Sequence, residues 1–351
     1  MRAMDAPEAG PNPEPRVGSR VVVRHRLAAP DPLTGATLTD AVGELVADAD
    51  GILVVRTRRG DVRVRRDSVT AVKEVPPSPS RRGRPHRALS VEDLQRVMVG
   101  AWPAMETARL GDWVLRASRG FTQRANSVMT AGSPGVPVPA ALDTVERWYA
   151  ERGLPPNLTV AGPVGFDPAD DAVGAEALRR GYVTRIPTLT LTAPTRLLAS
   201  LPPETAPEGP ARAGGFQEVE VAGELGDGWF AAYREYRPVD DVAARAILTG
   251  SPAQAFATVR DDEGRVVGIG RLGLAAAWGG IAAMWVDPRA RRRGTATRML
   301  VALARAADRA GAASLHLQVD TDNTSALGLY ERHGFERHHG YVNLSRPLAA
   351  D

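Results

Sequence analysis

Residues 280–310 carry the strongest local pattern in this 351-residue chain. An apolar run from Gly280 to Val286 predicts a strand, and a turn with four arginines follows it. Apolar side chains then recur at helical spacing from Gly294 to Ala310, which predicts a helix. The apolar face of this helix contains Met299, Leu300, Leu303 and Ala307. Such a face must be buried against a sheet, so the C-terminal part of the chain is predicted to be mixed α and β, with helices on both sides of a mostly antiparallel sheet.

The turn between this strand and this helix has the composition of an anion site. Backbone N–H groups at the start of a helix, with the positive end of the helix dipole behind them, attract phosphate. Gly294 lets the backbone approach a diphosphate closely, and small Ala296 avoids crowding it. Arg291, Arg292 and Arg293 add charged donors. On this segment alone, an ordinary helix start with solvated arginines is the alternative.

Two motifs together resemble those of the GCN5-related N-acetyltransferases, or GNAT family. Residues 291–296 follow that family's acetyl-CoA-binding pattern, R/Q-x-x-G-x-G/A, and residues 323–335 resemble its second signature, N-x-x-A-x-x-L-Y-E-x-x-G-F. Both motifs occur in order on alternating strands and helices, and the resemblance covers about residues 215–347. It implies an acyltransferase that uses acetyl-CoA as its acyl-donor substrate.

The resemblance also implies roles for individual residues. Backbone groups of the strand before the turn would pair with the pantetheine arm, backbone amides of the turn would hold the diphosphate, and Asn323 would contact the pantetheine region. Tyr330 would protonate the departing thiolate, although a tyrosine that only packs on the sheet is the alternative. The predicted acetyl-CoA-binding residues are Met284, Trp285, Val286, Arg291, Arg292, Arg293, Gly294, Thr295, Ala296, Thr297 and Asn323.

The general base is the least defined part of the predicted site. In some GNAT relatives a carboxylate on the strand before Asn323 fills this role. The position that we align with it holds Gln318, which cannot accept a proton. Asp320 and Asp322 lie close by, and we predict that Asp320 acts as the base, through water. A turn residue that binds its own backbone is the alternative for Asp320.

Composition narrows the chemistry further. The chain has no cysteine, which excludes disulfides, thiolate metal sites and a cysteine nucleophile. His333, His338 and His339 have no supporting carboxylate spacing, so we interpret them as surface histidines and predict no metal.

The most apolar stretch, residues 269–286, is broken by Arg271 and a glycine pair, which predicts two strands and no membrane span. With no apolar signal segment at its start, the chain is expected to be cytoplasmic.

Residues 268–273 fit the dinucleotide-binding pattern G-x-G-x-x-G literally. Another predicted strand follows them, however, where that fold requires a long helix in a βαβ unit. We therefore reject dinucleotide binding and interpret the segment as a strand whose glycines allow close backbone contacts.

The remaining segments complete a prediction of α+β class. Five short strands separated by turns predict a small SH3-like β-barrel, and two GNAT-like mixed α/β halves follow it. The first half has no counterpart of the arginine-rich turn, so we predict that it is degenerate and shapes the acceptor pocket, with the polar segment 121–127 as a candidate lining. A turn that leads into a strand is the alternative for this segment. The predicted boundaries are 16–75 for the barrel, 76–87 for a basic Pro-rich linker, 88–200 for the degenerate half, 201–215 for a second linker and 216–351 for the catalytic GNAT domain.

Basic charge is concentrated near the N-terminus, where residues 16–87 contain 15 arginines and lysines against 8 acidic residues. This excess predicts weak contact with nucleic acid through the barrel, and a solvated basic surface is the alternative.

The leading functional hypothesis is an N-acetyltransferase that acts on an amine, either a protein lysine or a small molecule. The competing hypothesis is a nucleic-acid- or protein-binding module whose GNAT domain binds acetyl-CoA but is inactive.

Overall fold

The computed structural model describes residues 17–27, 29, 37–57, 60–74, 84–202 and 218–346. The chain forms two compact units, Met1–Ser78 and Pro79–Asp351. Most of both predicted linkers lies outside the described residues. None of the helices in the described ranges combines the length and the apolar character that a membrane crossing requires.

The first unit is built from strands β1 (Arg20–Arg26), β2 (Leu38–Ala49), β3 (Ile52–Thr57), β4 (Gly60–Arg65) and β5 (Val69–Glu74). They form an antiparallel sheet in the order β4-β3-β2-β1-β5, and Asp50 and Gly51 form the turn between β2 and β3. Apolar side chains that alternate along the strands, such as Val21, Val23 and Leu45, form its core. No ladder joins β4 to β5 among the described residues. The prediction is therefore confirmed for a small β domain, but not for a closed barrel.

The second unit contains twelve strands and eight helices in its described residues. Its strands are β6 (Glu106–Leu110), β7 (Trp113–Ala117), β8 (Val128–Met129), β9 (Asn157–Gly162), β10 (Val183–Thr184), β11 (Thr188–Pro194), β12 (Glu220–Ala222), β13 (Ala253–Arg260), β14 (Val266–Ala275), β15 (Trp278–Val286), β16 (Ser314–Asp320) and β17 (Glu336–Ser345). Its helices are α1 (Val91–Ala101), α2 (Val138–Ala150), α3 (Ala172–Arg179), α4 (Thr195–Ala199), α5 (Asp227–Glu235), α6 (Asp241–Thr249), α7 (Thr295–Arg309) and α8 (Thr324–Arg332).

All twelve strands belong to one mixed sheet, because the two halves of this unit exchange strands. Strand β11, from the first half, lies between β16 and β17 of the second half and is antiparallel to both. The end of β17 in turn pairs with β9 and β10 of the first half. The sheet order is therefore β12-β13-β14-β15-β16-β11-β17-β9-β8-β7-β6, with β10 beside β17. Neither half has a complete sheet without the other.

Two adjacent glycines in β15 show how closely helices cover both faces of this sheet. A Cβ atom at Gly279 would lie 3.4 Å from the Cβ of Ala307 in α7. A Cβ atom at Gly280 would lie only 2.7 Å from the Cβ of Ala101 in α1. Since successive strand residues face opposite sides, α7 covers one face and α1 covers the other.

The G-x-G-x-x-G glycines lie inside strand β14 and not at the start of a helix. A Cβ atom at Gly270 would lie 2.5 Å from the sulfur of Met284, and one at Gly273 would lie 2.3 Å from the carbonyl oxygen of Ala101. Close packing explains these glycines, in agreement with the sequence interpretation.

The last residues of the first predicted linker belong to the second unit and pack against its sheet. Pro85–Arg87 form one turn of 3-10 helix, and His86 within it is buried. Arg84 and Arg87 both pair with Glu336 at the start of β17, the latter at 2.9 Å between Nη1 and Oε2. These contacts tie the segment before α1 to the shared sheet.

Candidate active site

The parallel strands β15 and β16 separate part-way along their length. Their ladder ends at Ile281 and Leu317. Just beyond this point Ala283 has a φ of 52°, and the register of β15 against β14 shifts, so the backbone bulges. The edge of β15 from Met284 to Val286 therefore has no partner on the β16 side in the described part of the chain. Such an edge can hydrogen bond with an extended ligand, as it would with an added strand.

The turn after β15 prepares the N-terminus of α7 for an anion. The Asp287 carboxylate accepts the backbone N–H of Arg289 at 2.7 Å and so stabilises the start of the turn. Arg292 and Gly294 adopt the left-handed backbone, with φ of 62° and 76°. The backbone N–H of Arg298 donates to the carbonyl of Gly294 at 3.0 Å. The backbone N–H groups of the residues just before Arg298 lie in the first turn of α7. They have no acceptor within the helix and can donate to an external ligand.

A cavity of about 490 Å³, the Tyr330 cavity, lies between the free edge of β15, this turn and α8. The residues of both sequence motifs meet in its wall, although they are far apart along the chain. Of the residues predicted to bind acetyl-CoA, those that line it are Met284, Trp285, Val286, Arg291, Arg292, Gly294, Thr295, Ala296, Thr297 and Asn323. Arg293 is the exception, because it lines a neighbouring groove together with Glu235 and Asp261.

Tyr330 lies in the wall of the Tyr330 cavity, on helix α8. It is only 7% exposed and packs edge-to-face against Phe335, with ring centroids 5.7 Å apart. Burial raises the pKa of Tyr330 to about 12. The phenol therefore keeps its proton at neutral pH and can serve as a proton donor inside the cavity.

Asn323 has a structural role besides its place in the cavity wall. It caps helix α8, where its Oδ1 accepts the backbone N–H of Ala326 at 3.1 Å. The cap leaves the Nδ2 donors of the side chain for a ligand.

Five residues of the cavity wall were not predicted as site residues: Ala290, Ser325, Ala326, Leu329 and Arg332. The helical spacing of residues in the second motif could have predicted some of these five. Ala326, Leu329 and Tyr330 stand at positions i, i+3 and i+4 of α8 and so share one face. The second signature alone marks only some members of that face.

Asp320, the predicted base, lies outside this cavity wall. It is exposed at the end of β16, where its Oδ1 accepts the Thr188 hydroxyl at 2.9 Å. Gln318 lies on the α1 side of the sheet, with Nε2 3.5 Å from the sulfur of Met98. The catalytic role of Asp320 thus stays a prediction.

The three histidines predicted at the surface are more buried than expected. His339 is fully buried, with Nε2 2.8 Å from Nε2 of Gln95 and Nδ1 2.9 Å from Nδ1 of His338. His333 is half-buried, and its Nδ1 lies 2.7 Å from the carbonyl oxygen of Leu329. The surface interpretation was wrong for His339 because β17 runs through the middle of the shared sheet. Among the described residues, no group of three or more His, Asp or Glu side chains is arranged to hold a metal.

The arrangement agrees with what the two motifs imply. The sheet opens beside a helix start suited to a diphosphate, and a protonated phenol lies in the same cavity. In fold and in site geometry, the second unit is of the GCN5-related N-acetyltransferase class.

Comparison with known proteins identifies the family within this class. Residues 90–343 match the family model described as "Probable histone acetyltransferase Rv0428c C-terminal". Residues 15–73 match the model described as "Rv0428c N-terminal Sm-like domain". The chain belongs to this Rv0428c family of the GNAT superfamily, and its first unit is of the Sm-like type.

Individual relatives agree with this assignment. Probable histone acetyltransferase Rv0428c of Mycobacterium tuberculosis is 33% identical over 162 residues, which are 44% of this chain and 48% of the relative. The chain thus spans about half the length of that relative. The uncharacterized N-acetyltransferase YobR of Bacillus subtilis is 26% identical over 248 residues, 70% of this chain and 94% of the relative. A GCN5-related N-acetyltransferase from Kribbella flavida shares the fold, with a TM-score of 0.53 at 18% identity over 74% of this chain and 96% of the other.

Proposed function

We propose that this chain is an N-acetyltransferase that moves the acetyl group of acetyl-CoA directly to an amine, either on a protein lysine or on a small molecule. One observation carries the proposal: the two GNAT motifs meet in the wall of the Tyr330 cavity. The Rv0428c family supports the reaction type, and the name of its Mycobacterium tuberculosis member, a probable histone acetyltransferase, is consistent with an amine acceptor.

Three features of the cavity support the binding of acetyl-CoA. The free edge of β15 at Met284–Val286 offers backbone groups to the amides of the pantetheine arm. The start of α7 offers N–H groups to the diphosphate, and Arg291 and Arg292 add positive charge beside it. Nδ2 of Asn323 is a donor for a pantetheine carbonyl.

The proposed reaction is a direct transfer. The amine nitrogen attacks the thioester carbonyl carbon, a C–N bond forms, and the C–S bond breaks. A backbone N–H at the bulge near Ala283 polarises the carbonyl, and Tyr330 gives its proton to the departing thiolate. The attacking nitrogen loses one proton to a base, for which Asp320 acting through water remains our candidate.

The experiment compares two glycine variants by the thermal stabilisation that acetyl-CoA produces. Gly294→Glu places bulk and negative charge against the diphosphate, and it should abolish a stabilisation of ~2.7 kcal/mol at about 100-fold ligand excess over Kd. Gly311→Glu is the matched control, because Gly311 at the other end of α7 has a φ of 77° and open space around its Cα. The control should keep the full ligand stabilisation.

Two results would count against the proposal. Unchanged acetyl-CoA stabilisation in Gly294→Glu would reject the site. Acetyl-CoA binding by the wild type without transfer to any amine would favour the competing hypothesis, a binding module with an inactive GNAT domain.

A further inference from the structure

A second cavity, the Arg124 cavity, lies on the α1 side of the sheet where β15 and β16 begin to diverge. Its volume is about 30 Å³, which is space for about two water molecules. Both halves of the second unit contribute to its walls: Trp102, Arg116 and Arg124 from the first half, and Gly280, His316 and Gln318 from the second. The strand exchange therefore builds this cavity, and neither half contains it alone.

Two guanidinium groups of this wall lack an acidic partner. Arg116 is only 6% exposed; its Nε and Nη2 donate to the carbonyl and hydroxyl oxygens of Ser127 at 2.9 and 2.8 Å. Burial lowers the pKa of Arg116 to about 10, so it is still charged at neutral pH. The guanidinium of Arg124 lies 5.7 Å from the ring centroid of Trp102. No Asp or Glu lines the cavity, and no carboxylate in the described ranges pairs with either arginine.

His316 adds a polar group that also lacks a partner. It is 5% exposed, and neither ring nitrogen has a hydrogen-bond partner among the described residues. Its ring is held against Gly280, where a Cβ atom would lie 2.6 Å from Cε1. Burial and the charge of Arg124 lower the pKa of His316 to about 3, so the ring is neutral. A neutral ring supplies one N–H donor and no balancing charge.

Arg116 is buried and Arg124 is half-buried, so an anion in the cavity compensates positive charge that water reaches only in part. A buried charge without a counter-charge loses much of its hydration free energy and regains it only through pairing and hydrogen bonds. Two arginines and the N–H of His316 form a donor set that suits a planar carboxylate. The cavity has room for a group of that size, whereas a phosphate is bulkier, and the positive charge repels the cationic amine end of an acceptor.

We propose that the Arg124 cavity binds the carboxylate of the acceptor, so that the substrate class is a small primary amine that also carries a carboxylate. This inference rests on the proposed acetyl transfer. The positions of the two cavities support it, because Ala282 lines the Arg124 cavity and Met284 lines the Tyr330 cavity on the same strand. These two residues flank the bulge at Ala283, so the two cavities lie close enough for a short amino acid to reach both.

The test uses matched pairs of amines in which each amino acid is compared with its carboxamide, for example 4-aminobutyrate with 4-aminobutyramide. Release of CoA is measured for the full chain and for Arg124→Gln. We expect the wild type to prefer the acid by about tenfold in kcat/KM, and Arg124→Gln to lose that preference through a higher KM for the acid. Arg124→Lys should keep part of it. Arg147→Gln, an exposed arginine on α2, is the matched control and should keep all of it.

Two further measurements keep the inference separate from the proposed function. Acetyl-CoA should stabilise Arg124→Gln as much as wild type, which shows that the variant is folded. Propionate, a carboxylate without an amine, should raise the melting temperature of wild type but not of Arg124→Gln, whether or not transfer occurs. The inference is overturned if propionate has no effect on wild type, if the amides react as well as the acids, or if phosphoethanolamine is preferred to every carboxylate. Failure of acetyl-CoA to bind would instead reject the proposed function.

Discussion

At the scale of single residues, burial sets the protonation of the groups that the proposed reaction needs. Tyr330 is enclosed by α8 and Phe335, and its raised pKa, about 12, keeps the proton on the phenol. The acid form is lost only as pH rises toward that value. Tyr330 should therefore cause no loss of activity between about pH 7 and pH 10.

Tyr330→Phe tests this role directly. The substitution keeps the ring and its contact with Phe335 but removes the proton, so kcat should fall ~10²-fold or more with little change in acetyl-CoA affinity. Steady-state kinetics with acetyl-CoA titrations measure both quantities. Tyr182→Phe is a suitable control, because Tyr182 lies in the first half, outside the wall of the Tyr330 cavity, and its hydroxyl is 3.3 Å from a carboxylate oxygen of Glu146 in the same half. Wild-type turnover in Tyr330→Phe would show that the thiolate leaves without its help.

At the scale of elements, strands β16 and β17 bring histidines into the core under α1. His316 and His339 are both buried, and burial lowers the pKa of each to about 3. In the unfolded chain these histidines have a pKa near 6.5. Between about pH 3 and pH 6.5 the unfolded chain therefore binds protons that the folded chain does not. Above about pH 6.5 both histidines are neutral in the folded and the unfolded chain, and the folded protein has its full stability. As pH falls below this value, protons bind preferentially to the unfolded chain and the free energy of unfolding decreases.

We therefore predict acid sensitivity of the second unit. The free energy of unfolding should decrease by about 1 kcal/mol per pH unit for each buried histidine below about pH 6.5. Urea unfolding followed by tryptophan fluorescence at several pH values measures this slope. His339→Gln should make it shallower, whereas His25→Gln in the first unit should not. An unchanged slope in His339→Gln would contradict the assignment.

At the scale of the whole molecule, the exchanged strand β11 couples the two halves of the second unit. Leu191 in β11 is fully buried and stands opposite Leu317 of β16 and Arg337 of β17. Every contact of this strand with those neighbours joins residues that are far apart in sequence. We expect the two halves to unfold together for this reason.

Leu191→Ala should lower the free energy of unfolding by ~2–5 kcal/mol and leave a single transition. Leu197→Ala, at a position that is 46% exposed on α4, should change it little. The check is whether tryptophan fluorescence and the loss of acetyl-CoA binding have the same midpoint. Two separate transitions would mean that the halves fold independently in spite of the shared sheet.

The first unit carries the prediction of nucleic-acid contact. Several of its arginines have carboxylate partners, as in the pairs Arg24–Asp40 at 2.8 Å and Arg56–Asp61 at 3.5 Å. Arg58 and Arg59 lie outside the described residues. Because pairing reduces the net charge offered to phosphates, any binding of duplex DNA should be weak and independent of base sequence.

That binding should fall steeply when salt rises from about 50 to 200 mM. It should also be lost from a shortened chain that begins at Pro79, the first residue of the second unit. Fluorescence anisotropy with labelled duplex DNA measures both effects. Equal binding by the two chains, or binding by neither, would remove the first unit from this hypothesis.

The sequence by itself determined the local parts of this protein. The turn after β15, the capped start of α8 and the positions of Gly294 and Tyr330 follow from hydrogen bonds and packing between residues close in the chain. Such features leave a compact sequence pattern, so the two motifs and most of the Tyr330 cavity were predictable.

Only the tertiary structure decided where distant segments meet. The insertion of β11 between β16 and β17 has no local signal, because strand pairing depends on the free energy of the whole sheet and not on one segment. The burial of His339 and the meeting of Arg124 with His316 follow from that insertion and from the packing of α1. A sequence pattern names such residues, but long-range packing determines which of them share a cavity.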